Sequence, residues 1–141
     1  MSTPSNLIDS TTGFTARIDK SGYLAVGPAM PSMAFNATLG VDDTPVQIVP
    51  AKGSKSFYVT SIILTGNKNI STTVDAVVDI YTSQTTASAT IATSLLSIPI
   101  GRSAQTVITG ILIETEAGYF INGKTSDDDV LVTILGYYVD A

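Results

Sequence analysis

Short runs in which apolar and polar residues alternate recur about every ten residues from Met33 onward, and this spacing constrains the fold most strongly. Alternation with a period of two is typical of half-buried β-strands, and no window shows the 3.6-residue apolar repeat of an amphipathic helix. Gly, Pro, Asn and Asp, which favour turns, separate the runs. We therefore predict an all-β, antiparallel β-sandwich that is jelly-roll-like, with an immunoglobulin-like sandwich as the alternative.

Three runs carry further expectations. In residues 56–65 the apolar parity shifts at Ser61 and Ile62, which indicates a β-bulge. Residues 130–139 are apolar on both faces, as in a central strand between two layers. Residues 123–129 are polar and are expected to form a turn. The predicted strands are 34–39, 46–49, 56–65, 73–82, 90–100, 105–115, 119–122 and 130–139.

Alternation also predicts which side chains point outward in the strand 73–82 and which point inward in the strand 105–115. The residues expected to face outward in 73–82 are Asp75, Val77, Asp79 and Tyr81. Those expected to face inward in 105–115 are Val107, Thr109, Ile111 and Ile113.

The N-terminal segment differs from the rest of the chain. Residues 1–12 are polar and show no pattern, whereas 14–18 and 23–26 alternate around a Gly-containing turn and predict a small hairpin. Two prolines and a glycine in residues 27–31 break regular structure. We therefore divide the chain into an N-terminal arm and hairpin, residues 1–32, and a β-sandwich domain, residues 33–141.

The composition excludes most neutral-pH chemistry. The chain has no His, Cys or Trp, so the usual proton shuttle, thiol nucleophile and thiolate metal ligands are missing. No G-x-S-x-G or phosphate-binding glycine loop is present. Residues 127–129 are three consecutive aspartates, for which we prefer a solvated turn to a calcium loop because adjacent carboxylates cannot all point at one ion. We expect no enzyme activity, catalytic residue, cofactor or metal site.

The low proportion of charged residues suggests that the protein functions through a contact surface. Only 13% of residues are charged and the net charge is −5, with the basic residues scattered, which argues against nucleic-acid binding. No signal peptide is visible, and the apolar runs are too short to cross a bilayer, so we expect synthesis in a cytoplasm and no membrane partner. Faces rich in Ser, Thr and Ala suit packed contacts, because interfaces avoid Lys and Glu.

Candidate partner-binding residues lie in the arm and in the last strand. An arm of short strands can add to the edge of a partner's sheet, and its basic side chains would contact an acidic surface. The alternative is a disordered tail with a hairpin that folds back on its own domain. Of the adjacent Tyr137 and Tyr138, one is expected in the core and one at a subunit contact. The candidates are Phe14, Arg17, Lys20, Tyr23 and Tyr138.

Residues 16–24, 57–65 and 132–137, together with the hydroxyl-rich β domain, resemble the jelly-roll head decoration or cementing proteins of short-tailed bacteriophages. The resemblance implies a homo-oligomer, dimer or trimer, that binds the outer capsid surface and clamps neighbouring major capsid protein subunits. It implies a location in the virion and no catalytic or ligand residue. Other hypotheses are a head-fibre or tail adaptor that binds a receptor, a carbohydrate-binding module or adhesin, and a hydrolase.

Overall fold

The structure, a computed structural model, describes residues 6–8, 15–18, 24–27, 32–40 and 43–140. The chain divides into two compact units, Met1–Pro31 and Ser32–Ala141. The described residues form strands and no helix. The strands are β1 Asn6–Ile8, β2 Thr15–Ile18, β3 Leu24–Gly27, β4 Met33–Leu39, β5 Val46–Val49, β6 Lys55–Gly66, β7 Ala76–Ser83, β8 Thr93–Ile100, β9 Gln105–Ile108, β10 Ile113–Glu114, β11 Phe120–Thr125 and β12 Val130–Asp140.

The first unit is a three-stranded antiparallel sheet in the order β1-β2-β3. Strands β2 and β3 pair from Thr15 opposite Gly27 to Ile18 opposite Leu24, which is the predicted hairpin. Strand β1 pairs with β2 and lies within residues 1–12, where the sequence shows no pattern. Three residues are too few to show alternation, which is why the sequence pattern missed this strand.

The second unit is a sandwich of two antiparallel sheets, as predicted. One sheet has the order β10-β6-β12-β4, with β9 also paired to β6, and the other has the order β5-β11-β7-β8. The strand pairs of this unit are nested when β9 and β10 are counted as one interrupted strand. The outermost pair is β4 with β12, followed inward by β5 with β11, β6 with β9 and β10, and β7 with β8. This nesting is what results when one long hairpin folds over on itself, and it defines a jelly roll.

The core lies between the two sheets and is aliphatic over most of its length. Side chains that point inward from both sheets, such as Leu64, Ile80, Ile121 and Ile134, are fully buried. At one end the core becomes aromatic, because the Phe57 ring packs edge-to-face on Phe35 and Tyr138, with centroids 5.8 Å and 5.0 Å away. Burial of these side chains is the main stabilising contribution, at roughly 1.5–3 kcal/mol for each large one.

A bulge interrupts β6 beside the position where the parity shift predicts one. Ser61 lies opposite Leu135 and Val59 lies opposite Gly136, so Thr60 is the extra residue. The Thr60 hydroxyl donates a hydrogen bond to the Leu135 carbonyl oxygen at 3.1 Å. The bulge therefore keeps Phe57 and Val59 on the same inner face as Ile62 and Leu64.

One boundary prediction is wrong for a steric reason, and one prediction of side-chain direction is wrong in part. Residues 123–125 continue β11 rather than starting a turn, and Gly123 lies in the inner layer, where an added Cβ would come within 2.8 Å of Ile48 and 3.1 Å of Leu39. In 105–115 the predicted inward direction is wrong for Val107, which is 54% exposed, and for Thr109, which is also exposed, while Ile108 packs against the core. It is confirmed for Ile111 and Ile113, which pack against the core. Gly110, with a φ of +70°, then breaks the strand before β10.

Candidate functional site

The two sheets present outer faces of opposite character. The outward side chains of β4, β6, β9, β10 and β12 form what we call the open face. The outward side chains of β5, β7, β8 and β11 form what we call the capped face, because the chain segment between β7 and β8 folds over it. The assignment follows from register, since residues paired across strands point to the same side of a sheet.

Hydrogen bonds from the capped face hold the segment 84–92 in place. Tyr81 Oη donates to the Ser88 carbonyl oxygen at 2.6 Å. Asn122 accepts a bond from Ala87 N at 3.2 Å and donates one to the Thr85 carbonyl oxygen at 3.1 Å. Tyr81 therefore does point outward, as alternation predicted, but it is fully buried because the segment covers it.

The uncovered part of the capped face is charged. Lys124 and Asp79 are cross-strand neighbours, and the Ser97 hydroxyl donates to Asp79 Oδ1 at 2.6 Å. Burial raises the pKa of Tyr81 above its usual value, and the nearby Asp79 carboxylate raises it further. This face is thus covered in part by the protein's own segment, and beyond the segment it carries Asp79 and Lys124 beside Val77, which is 42% exposed.

The open face is almost free of charge. Among the outward side chains that the structure describes there, the one ionisable carboxylate belongs to Glu114, and the face has no lysine or arginine. Leu131 is 47% exposed and Val107 is 54% exposed. The outward side chains are Ala34, Asn36, Thr38, Ser56, Tyr58, Thr60, Ser61, Ile63, Thr65, Gln105, Val107, Glu114, Leu131, Thr133, Leu135, Tyr137 and Val139.

A pair of tyrosines marks one end of the open face. The rings of Tyr58 and Tyr137 are stacked, with centroids 5.5 Å apart and an angle of 7° between their planes. Glu114 is the cross-strand neighbour of Tyr58 on the other side. Desolvation, a hydrogen bond to the Glu114 side chain and the charge of that carboxylate raise the pKa of Tyr58. Both side chains are half-buried, because the rings pack against each other while part of each remains exposed to solvent.

The open face has a relief that follows its strands. Large side chains of β12, namely Leu131, Leu135 and Tyr137, form an apolar ridge along the sheet. Beside it the outward residues of β4 are all small or short, and they form a shallow row. Thr133 interrupts the ridge, and its hydroxyl donates to Asn36 Oδ1 at 2.6 Å. The residues of the shallow row are Ala34, Asn36 and Thr38.

The predicted partner-binding residues have different outcomes. Phe14, Lys20 and Tyr23 lie outside the described residues. Arg17 lies in β2, opposite Asn6 and Ala25, and only its backbone is described. The prediction for Tyr138 is wrong: its side chain is 4% exposed, and its hydroxyl donates to the Pro50 carbonyl oxygen at 2.6 Å.

Tyr137 is the tyrosine that points outward. The core side of β12 is set by Val130, Val132 and Ile134, and Tyr138 shares that side. The open face as a whole was missed, although the alternation of 130–139 contains its signal. Because the outward residues of that strand are also apolar, hydrophobicity alone does not say which side is the core.

The acidic turn at 127–129 is held by hydrogen bonds to its own backbone and to the neighbouring loop. Asp127 accepts bonds from Asp128 N at 2.8 Å and from Ser71 N at 3.3 Å, and Asp128 accepts one from Asp129 N at 3.2 Å. Over residues 32–40 and 43–140, no three acidic side chains are grouped closely enough to hold a metal ion. No helix that is long and apolar enough to span a membrane occurs in the part of the chain that the structure describes.

Glu116 joins the two sheets. Its carboxylate accepts a hydrogen bond from the hydroxyl of Thr93 in β8, while the residue itself follows β10. Desolvation alone would raise the pKa of Glu116, but hydrogen bonds from Thr93, from its own backbone and from Thr82 outweigh it and lower the pKa. The ionised carboxylate is therefore the form that suits the folded sandwich.

No family model matches the chain, and no curated protein matches it either. Among solved structures, the fold is similar to that of a chain in the acidic stable capsid structure of Helicobacter pylori bacteriophage KHP30, with a TM-score of 0.55 and 12% sequence identity. The match covers 79% of this chain and 90% of that chain. At this identity the likeness shows the fold, and the two coverages indicate that the neighbour is a small chain of comparable length.

Proposed function

We propose that this chain is a structural protein of a tailed-phage virion, and that it binds the outer capsid surface as a decoration or cement protein. The observation that carries the proposal is the jelly roll shared with a small chain of a phage capsid structure. The open face supports it, because an exposed, nearly uncharged sheet surface is suited to a protein partner.

Binding alone would be enough to stabilise a shell. A protein that binds the assembled capsid lattice and not the dissociated subunits shifts the equilibrium toward the lattice. The shift is about 2.7 kcal/mol per site when the free protein is at about a hundredfold its Kd. If several copies are linked, each weak contact is reinforced by the high effective concentration of the others. The proposed partners are therefore the major capsid protein and further copies of this chain.

The test uses capsids assembled with and without this protein. Both samples are heated through the transition, and shell disruption is followed by light scattering and by release of packaged DNA. We expect disruption at a higher temperature when the protein is bound. Equal disruption temperatures would contradict the cement role.

Copy number separates the cement role from the head-fibre or tail adaptor alternative. Quantitative mass spectrometry of purified virions should find this chain in a fixed ratio to the major capsid protein, with many copies per particle. A handful of copies per particle would favour the adaptor and contradict the decoration role.

A further inference from the structure

We propose that two copies of this chain pair edge to edge through strand β4, antiparallel and about a two-fold axis, so that two sheets join into one. For its role the pairing rests on the proposed function, because two joined copies would bind two capsid sites at once. The physical case has three parts: β4 has a free edge, that edge lacks the protection of the others, and its residue pattern is complementary to itself.

Strand β4 lies at the end of the sheet that carries the open face. It pairs with β12 on one side, from Met33 opposite Gly136 to Leu39 opposite Val130. Within residues 32–40 and 43–140 no strand pairs with its other side, toward which every second residue directs its backbone N–H and C=O. Phe35 packs against the core but is only half-buried, because no further strand lies beside it. Strand β4 therefore lacks a neighbour for its backbone and for its inner side.

The other three edges of the sandwich are protected against pairing. The opposite edge of the same sheet consists of β9 and β10, which have four and two residues and are separated by Gly110 with a φ of +70°. In the second sheet, β5 has only four residues, and β8 has a bulge at Leu95 and contains Pro99, which cannot donate a backbone hydrogen bond. Strand β4 has seven residues, an unbroken register with β12, and no proline, glycine or charged residue. Such an edge is a template for another strand.

The residue pattern of β4 selects a second copy as that strand. In a two-fold antiparallel pair centred on Asn36, each residue lies opposite one whose side chain points to the same side of the sheet. On the inner side apolar residues meet, and the large Phe35 is covered by the small Ala37. No charge is opposed to its own copy, although the chain has a net charge of −5. The opposed residues are Asn36 with its own copy, Ala34 with Thr38, Phe35 with Ala37, and Met33 with Leu39.

Pairing through β4 leaves the open face available to the capsid. The two-fold axis between antiparallel strands is perpendicular to the sheet, so the open faces of both copies point to the same side and become continuous. At roughly 3.4 Å per residue the contact is about 24 Å long, with roughly six to eight backbone hydrogen bonds. Because this contact is narrow, we expect a reversible dimer whose population rises with concentration.

The first experiment is a disulfide test of the register. The chain has no cysteine, so one introduced thiol reports on the pairing. In Asn36→Cys the two thiols lie on opposed residues with Cα atoms about 5 Å apart, which a disulfide spans. In Thr38→Cys, the matched control on the same strand and face and equally exposed, the two residues are about 14 Å apart. Mild oxidation should therefore join the full chain at least about tenfold faster in Asn36→Cys.

Sedimentation velocity of the full chain tests the same pairing without a crosslink. Wild-type protein should shift from monomer to dimer as its concentration rises. Asn36→Lys places two like charges directly opposite each other and should weaken the dimer at least about tenfold. Gln105→Lys, at an exposed position on the opposite edge of the open face, is the control and should dimerise as the wild type does. Far-ultraviolet circular dichroism confirms that the variants fold.

Three outcomes overturn the inference. They are a wild-type chain that stays monomeric at every concentration, a dimer that Asn36→Lys leaves intact, and oxidation that joins Thr38→Cys as fast as Asn36→Cys. For a monomeric chain, hydrogen exchange of the β4 amides identifies the occupant of the edge. Protection in the free chain indicates another segment of the same chain, and protection only on capsids indicates a strand of the capsid.

The capsid heating test, run on the same proteins, keeps the two proposals apart. A monomer that protects capsids overturns only the pairing. A dimer that does not protect them overturns only the cement role.

Discussion

The open face and the capped face are both formed by antiparallel strands, yet the open face is exposed and the capped face is partly covered by the chain itself. On the capped face, the outward Tyr81 and Asn122 are completely buried by the chain's own segment 84–92. On the open face, Leu131 and Val107 remain exposed, and nothing in residues 32–40 or 43–140 covers them. The difference shows that polar outward residues can be buried by holding a covering segment, whereas apolar outward residues of the same fold stay exposed.

The largest expected effect tests the sheet that carries the open face. A Cβ at Gly136 would clash with the Tyr58 carbonyl oxygen and come within 2.7 Å of the Phe57 ring, next to the bulge. Gly136→Ala should therefore lower the free energy of unfolding by about 3 kcal/mol. Gly40→Ala is the control, because nothing lies within 4 Å of its added Cβ. Urea denaturation measures both, and equal stability of the two variants would mean that the bulge is not tightly packed.

The next effect tests whether the cap is held by side chains. Asn122→Ala removes two hydrogen bonds to the segment 84–92 and leaves a backbone N–H and a carbonyl oxygen without them. The expected loss is about 2 kcal/mol, with faster proteolytic cleavage in that segment. Asn36→Ala on the open face is the matched control, and it should change the stability by less than about 0.5 kcal/mol. If both variants are cleaved at the wild-type rate, the segment is held in another way.

The third prediction compares the two faces by removing one hydroxyl oxygen from a tyrosine on each. Tyr81→Phe removes the hydroxyl that donates to the Ser88 carbonyl oxygen and should cost about 1 kcal/mol. Tyr137→Phe keeps the stacked ring on the open face and should leave the stability nearly unchanged. Thermal denaturation of the two variants gives the difference. A larger loss for Tyr137→Phe would reverse the roles assigned to the two faces.

The smallest expected effect depends on pH and concerns the hydrogen bond between Glu116 and Thr93, which connects the two sheets. Since the folded pKa of Glu116 lies below its ordinary value of 4.5, its carboxylate stabilises the fold above that pH. This contribution should disappear as the pH falls through the lowered folded pKa. Glu116→Gln should therefore be less stable than the wild type near pH 6 and equally stable in strong acid.

Thr93→Val provides the control for this pH dependence. It removes the hydroxyl donor and leaves the carboxylate in place, so the stability difference should shrink in the same acidic range. Urea denaturation at a series of pH values measures both variants. A difference between wild type and Glu116→Gln that stays constant down to strong acid would contradict the assignment.

Alternation of apolar and polar residues was enough to predict most of the sandwich. It located the strands around residues 56–65 and 130–139 and marked the bulge to within one residue of Thr60. It failed where a residue serves a purpose other than its local propensity. Gly123 resembles a turn residue but lies in a strand, because the inner layer there is filled by Ile48 and Leu39.

The candidate site was less accessible from the sequence. Choosing between Tyr137 and Tyr138 requires knowing which side of β12 is the core, and the apolar residues on both sides conceal that choice. Burial of Tyr81 depends on a hydrogen bond to a loop seven residues away, which no periodicity encodes. The apolar outward residues that distinguish the open face are thus the reason that the sequence pattern did not reveal it.

The nested order of the strands also has a consequence in time. Strand β12 lies between β4 and β6, so the sheet that carries the open face cannot close until the last strand has left the ribosome. Within this unit, β7 and β8 follow each other directly and can pair early. With so much of its pairing between distant parts of the chain, this unit should fold slowly and only once β12 has been made. Until then its incomplete sheets are prone to aggregate, so folding should benefit from dilution or chaperones.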